Sequence, residues 1–277
     1  MPIRKSILCC KLSPPAMLLV IDIGNTHVDL GLFSVEQTTP AQTAEFAQDL
    51  VRHTKYPTDA AVPNNLQQLF ASLTSPLDGV AIGSVVTGLA DNYANLCRPY
   101  CRGPVVEVTG HWDWGLHIDY DDPDKVGVDR LAAAAAAYHH PPQRQAAIIA
   151  DAGTALTIDA VDAKGTFLGG AIAPGLKLGL QALSAGTSLL PQIELDAAAP
   201  LLGKTTAAGL RSGALYGSAA LIEGLCARIA AELGDPTTVF LTGGDSPVLQ
   251  PLIVGVDICD TALVLRGLAL AYNRYTS

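Results

Sequence analysis

Two phrases, far apart in the chain, carry one pattern and restrict its fold more than any other feature. The first is Leu18-Leu19-Val20-Ile21-Asp22-Ile23-Gly24-Asn25-Thr26, continuing to Gly31. The second, residues 148–159, reads Ile-Ile-Ala-Asp-Ala-Gly-Thr-Ala-Leu-Thr-Ile-Asp. In each, an apolar run ends in a carboxylate, Asp22 or Asp151. A glycine follows two residues later, then short polar residues, then renewed alternation. The pattern predicts a buried strand, a tight turn and a returning strand. Glycine lets the backbone approach a ligand closely. The turn N–H groups, with the hydroxyls of Thr154 and Thr157, can therefore hold phosphate oxygens. One such loop is common. Two in one chain predict two related halves facing one ligand, against the plainer alternative of two unrelated hairpins.

The length, 277 residues with 49% hydrophobic, permits one large domain or two modest ones. Seventeen basic and 26 acidic side chains leave a net charge of −9. That balance argues against electrostatic binding of nucleic acid or an anionic membrane, and is compatible with a metal-complexed substrate. None of the 6 cysteines forms a C-x-x-C pair, and a chain this long needs no disulfide staples, so a reducing cytoplasm is the expected setting. Cys97 and Cys101 are spaced for one helix face and are read as ordinary helix residues. No apolar run is read as reaching transmembrane length. Residues 1–16 do not resemble a secretory signal and are read as a loose extension, with Met17 an alternative start.

Strands are expected at 17–23, 28–33, 79–86, 105–108, 168–175 and 239–242, besides the central hairpin. Helices are expected at 64–73, 91–101, 131–138, 177–183, 207–233 and 261–272. Such alternation argues for a layered α/β fold. Residues 35–60 are mixed and polar, without a catalytic signature. His27, at the first tip, is read as a nucleotide contact or a solvated loop histidine. The long helix carries Gly209, Gly213, Gly217 and Gly224, each costing roughly 1 kcal/mol relative to alanine in an isolated helix. A tight internal or dimeric contact would explain them.

The most carboxylate-dense stretch runs from Leu116 to Arg130. Asp129 stands just ahead of Leu131 and six alanines and is expected to cap a helix. Arg130 is ill-placed beside a helix N-terminus, where the dipole disfavours a cation, so an anionic partner is expected. His139-His140-Pro141-Pro142 ends that helix, the expected hinge between halves 17–140 and 141–277.

Together these stretches resemble the type III pantothenate kinases, of the acetate-kinase, sugar-kinase, Hsp70 and actin superfamily. The matching phrases are Asp22-Ile-Gly-Asn-Thr26, Gly127-Val-Asp-Arg130, Asp151-Ala-Gly-Thr-Ala-Leu-Thr-Ile-Asp159, Gly169-Gly-Ala-Ile-Ala-Pro-Gly175 and Thr242-Gly-Gly244. They follow the family's order and cover nearly all the chain after residue 16. The departures are the leading extension and Thr205, where asparagine is common.

The resemblance implies transfer of the γ-phosphoryl of ATP to the 4′-hydroxyl of pantothenate, the first step toward coenzyme A. It implies two ribonuclease-H-like halves around a nucleotide cleft, a homodimer, Mg²⁺, and potassium or ammonium. It assigns ATP contacts to Asp22, Ile23, Gly24, Asn25, Thr26, His27, Val28, Asp29 and Thr154. Tyr120, Gly127, Val128, Asp129, Arg130 and Thr206 match pantothenate contacts, Asp129 the proton acceptor, and Asp151 the monovalent-cation ligand. Phosphoryl transfer rests mostly on placement and charge neutralisation, so a carboxylate of ordinary pKa at position 129 is expected to suffice. Arg130 would meet the substrate carboxylate or a phosphate. The alternatives are another small-molecule kinase of the superfamily, a Bvg accessory-type regulator and a catalytically silent paralogue.

Overall fold

The computed structural model describes residues 16–35, 48–58, 62–140, 145–195 and 199–276. The expected extension, apart from residue 16, lies outside them. The elements in order are β1 (Ala16–Ile23), β2 (His27–Val35), β3 (Gln48–Pro57), α1 (Val62–Ser72), β4 (Gly79–Ser84), α2 (Leu89–Cys97), β5 (Val105–Val108), β6 (His117–Ile118), α3 (Val128–Tyr138), β7 (Ala146–Ala152), β8 (Ala155–Val161), β9 (Thr166–Pro174), α4 (Leu176–Gly186), α5 (Thr206–Leu233), β10 (Thr237–Thr242), α6 (Ser246–Leu249), β11 (Ile258–Cys259) and α7 (Leu263–Thr276).

Two sheets share one plan. The first has the order β3-β2-β1-β4-β5, the second β11-β10-β7-β8-β9-β6. In each, three strands form an antiparallel meander, β1-β2-β3 or β7-β8-β9. Parallel strands continue the sheet from the first strand of the meander, β4 and β5 on one side, β10 and β11 on the other. The two related halves expected from the two tips are present, and β6 is an extra strand beside β9.

Strand parity explains what each sheet face meets. Leu19, Ile21 and Ile23 of β1 pack in one cluster with Leu66, Leu69 and Phe70 of α1 and Tyr93 of α2. Leu18 and Val20 point the other way, into a cluster built from α3, α7 and the second sheet. In β7 the same split recurs: Ile148 and Ala150 face α5, whereas Ala147 and Ile149 face α3. The molecule is thus five layers, with α3 and α7 between the sheets. Alternate side chains share a face, so Asp22 and Asp151 each end the inner-facing row of their strand.

The six alanines of α3 are what this sandwich requires. A Cβ at Gly267 of α7 would collide with the Ala132 carbonyl, so the two helices approach to backbone contact. Gly83 of β4 leaves room for Leu268, which a Cβ there would meet at 2.8 Å. The chain crosses residue 140 in both directions: β6 joins the second sheet, and α7 packs on β1 and β4 of the first.

Several expectations need correction. Residues 48–57, read as mixed and polar with no element assigned, form β3, because β2 offers a full ladder of backbone partners to a sequence without apolar alternation. Cys97 ends α2 and Cys101 lies beyond a 3₁₀ turn, pairing with Leu77 in an isolated bridge, so they do not share a helix face. Among the described residues the glycine face of α5 is largely open: added Cβ atoms at Gly209, Gly213 and Gly217 would meet nothing within 4 Å, although Gly203 packs on the Gly209 backbone and a Cβ at Gly224 would meet Arg228 at 3.0 Å. By length and composition α5 is also apolar enough to cross a membrane, contrary to the reading of the sequence. Its Leu215, Ile222 and Cys226 pack on the outer face of the second sheet.

Candidate active site

The two tips meet. Thr26, after the first Asp-x-Gly, and Thr154, after the second, share a hydrogen bond between hydroxyl oxygens 2.7 Å apart across 128 residues of sequence. Each tip is braced locally. In the first, the Gly24 N–H donates to the His27 carbonyl at 2.9 Å, and the Thr58 hydroxyl donates to the Gly24 carbonyl at 2.7 Å. In the second, Gly153 N–H donates to the Ala155 carbonyl and Gly175 N–H to the Thr154 carbonyl. Gly243 lies against Asp151 at φ +91°, a conformation that suits glycine, and a Cβ there would collide with the Asp151 carboxylate.

Carboxylates converge behind the tips. Asp22 Oδ1 is buried without a hydrogen-bond partner among the described residues. Burial, then the charges of Asp129, Asp29 and Asp151, push its pKa well above the usual carboxylate range. Burial and the Asp129 charge push Asp151 up to about 7. Asp129 is also raised, chiefly by burial, only partly offset by the Arg130 N–H. These mutual effects bring Asp22 and Asp151 into one electrostatic neighbourhood with Asp129.

Asp29 behaves differently. Burial raises its pKa, but hydrogen bonding to His53 and the Lys55 charge outweigh that and hold it below the ordinary value. His53 Nε2 lies 3.0 Å from one oxygen and Lys55 Nζ 2.8 Å from the other. The register explains the row: Asp22 stands opposite Asp29, and Asp29 opposite Lys55, so all three side chains share one sheet face. His27 is lowered by burial first and by Lys55 next, which favours neutral imidazole.

The Gly127–Arg130 motif differs from expectation in two respects. Gly127, not Asp129, is the N-cap residue of α3, and Asp129 lies in the first turn, its Oδ1 accepting from the Arg130 N–H at 2.8 Å. Its pKa is not ordinary, because burial outweighs the Arg130 N–H and the Arg130 charge. Arg130 has the anionic partner that its awkward position predicted, but within the chain. Its Nε donates to both Asp159 oxygens at 3.1 and 3.0 Å, and Nη2 to Oδ1, with both side chains buried. The guanidinium lies 6.0 Å from the centre of the Tyr120 ring and 5.7 Å from that of Phe167. Asp159, read only as the end of a hairpin, is therefore the side chain that locks Arg130.

The other matched residues divide by burial. The side chains of Ile23, Val28 and Val128 lie in the core, so only their backbone can meet a ligand. Asn25 and Thr26 are exposed at the first tip, and Tyr120 is half-exposed beside Arg130. Thr206 is exposed at the start of α5, in the layer outside the second sheet, whereas Asp129 lies in the layer between the sheets. Lys55, on the strand missing from the sequence reading, is the main addition. Its only sequence signal was a cation in a polar run, which any solvated segment would share.

A profile of the type III pantothenate kinases matches residues 18–228. The chain is 35% identical over 261 residues to the type III pantothenate kinase of Anaeromyxobacter dehalogenans, covering 93% of this chain and 99% of that protein. The chain belongs to the type III pantothenate kinase family. That of Streptomyces avermitilis is 36% identical over 277 residues, covering 94% of this chain and 99% of its own length. A solved Baf family protein from Campylobacter jejuni has the same fold, with a TM-score of 0.54 at 18% identity, over 93% of this chain and 98% of that one. The architecture, two α/β halves of one strand plan on either side of a shared helical layer, is the fold of that protein. The activity is the family's: ATP-dependent phosphorylation of pantothenate, first step of coenzyme A biosynthesis, with a divalent metal.

Proposed function

We propose that ATP lies between the two joined tips and that Asp129 accepts the proton of the pantothenate 4′-hydroxyl. The observation carrying this reading is the Thr26–Thr154 hydrogen bond, which sets both phosphate-suited loops at one place. Backbone of Gly24–Val28 and Thr154 would hold phosphate oxygens, and the Asp129 carboxylate would orient the hydroxyl. Tyr120 and Gly127–Arg130 would line the pantothenate side, and Asp159 holds Arg130 so that its remaining donors face in a fixed direction.

The residues suit Mg²⁺. A buried, unpartnered Asp22 oxygen gains a counter-charge when the metal binds, directly or through water. Among the described residues no three His, Cys, Asp or Glu side chains form a ready cage. This agrees with an ion held largely by phosphates and water. Bound Mg²⁺ neutralises charge on the phosphate oxygens. Asp151 suits a monovalent cation, potassium or ammonium, since such an ion would ionise a carboxylate that burial otherwise leaves part-protonated. We assign Thr206 to the substrate site on motif alone, the open glycine face of α5 to a homodimer contact, and the cytoplasm as location.

Asp129→Asn tests the base. It should fold with an unchanged circular dichroism spectrum and lose roughly 10²–10⁴-fold in kcat, the usual worth of general-base catalysis. A near-wild-type rate in a coupled assay with ATP and pantothenate would refute the assignment.

A further inference from the structure

We infer that Lys55 is a phosphate-binding residue of this enzyme, contacting the terminal phosphates of ATP from β3. The inference rests on the reading that ATP lies between the tips. Lys55 comes from the first half but stands against the second. Its Nζ is 3.4 Å from where a Cβ on Gly244 would lie, so the ammonium group stands beside the glycine turn after β10. Its side chain is 39% exposed, so one side remains open beyond the ion pair with Asp29.

The charge balance of the cleft supports this role. Asp22, Asp29, Asp129, Asp151 and Asp245 act on one another or on shared neighbours near the tips, where ATP, as proposed, would add further negative charge. Lys55 lowers the pKa of carboxylates from both halves, Asp22 and Asp29 on one side, Asp151 and Asp245 on the other. Lys177 acts on His27 and Asp245, and Arg130 is engaged by Asp159. Lys55 is therefore the cation best placed to offset phosphate charge at both tips. Asp29, itself anionic, meets phosphates poorly, and its observed work is to hold Lys55 and His53.

The test is calorimetric titration of wild type, Lys55→Ala and Lys55→Arg with ATP, ADP and AMP in the presence of Mg²⁺, alongside steady-state kinetics. Lys55→Ala should weaken ATP binding by about tenfold or more, as expected for loss of a charge-assisted contact. AMP binding should stay within about twofold, Lys55→Arg should recover most of the loss, and KM should rise for ATP but not for pantothenate. Unchanged ATP affinity in Lys55→Ala would overturn the inference. Equal loss for AMP and ATP would also overturn it, by showing that the lysine only supports the fold. Failure of the wild type to bind ATP would instead sink the reading of the cleft.

Discussion

Burial raises the pKa of Asp22, Asp129, Asp151 and Asp245 near the two tips, and each rise works against folding at neutral pH. For Asp151 the direction can be worked through. Its folded pKa, about 7, lies above the ordinary 3.8. Its protonated form therefore contributes stability that is complete below pH 4 and is lost as the pH climbs through 7. Asp151→Asn removes that dependence. The variant should melt a few degrees above wild type at pH 8 in sodium buffer, with no advantage at pH 4, and should lose the potassium stimulation of turnover. Differential scanning fluorimetry at the two pH values reads the first two, and a coupled kinase assay in sodium and in potassium reads the third. A variant that melts lower at pH 8 would mean the carboxylate is held by the fold rather than kept for a cation.

Within the elements, β1 and β7 were legible in the sequence as apolar runs ending in Asp22 and Asp151, but a strand apolar on both faces does not say which face turns inward; the layer of α3 and α7 decides that for both carboxylates. The strand β3 was not legible. Gln48–Pro57 has no period-2 apolar pattern, and its backbone is ordered by the ladder that β2 offers. Lys55 was missed for that reason. The start of α3 was misread by two residues, since an acid ahead of an alanine run suits a cap and a first-turn position equally. The α3–α7 contact makes a sharp prediction. Gly267→Ala puts a methyl group against the Ala132 carbonyl, and should cost about 1–3 kcal/mol or more, the usual range for overpacking. Urea unfolding measures it.

For the whole molecule, the repeated strand order makes one cleft from two similar halves, and the layer between them carries the substrate motif. The face left over is that of α5. Side chains added at Gly209, Gly213 and Gly217 would meet nothing among the described residues, so a dimer through this helix would bring two such faces to close approach. Gly213→Glu should then convert a dimer to a monomer in sedimentation velocity at micromolar concentration, while the circular dichroism spectrum is retained. An unchanged sedimentation coefficient would place any dimer elsewhere.

The sequence by itself determined the two tips, the carboxylate that ends each apolar run, and the family. All of these rest on local pattern and spacing, which survive without knowledge of packing. Tertiary structure decided that Thr26 and Thr154 touch, that Arg130 is held by Asp159, and that Lys55 reaches the second half. Each of these joins side chains between 29 and 189 residues apart (Arg130 to Asp159, Lys55 to Gly244). Such pairings are set by how the helical layer seats between the sheets, and no local preference of the chain encodes them.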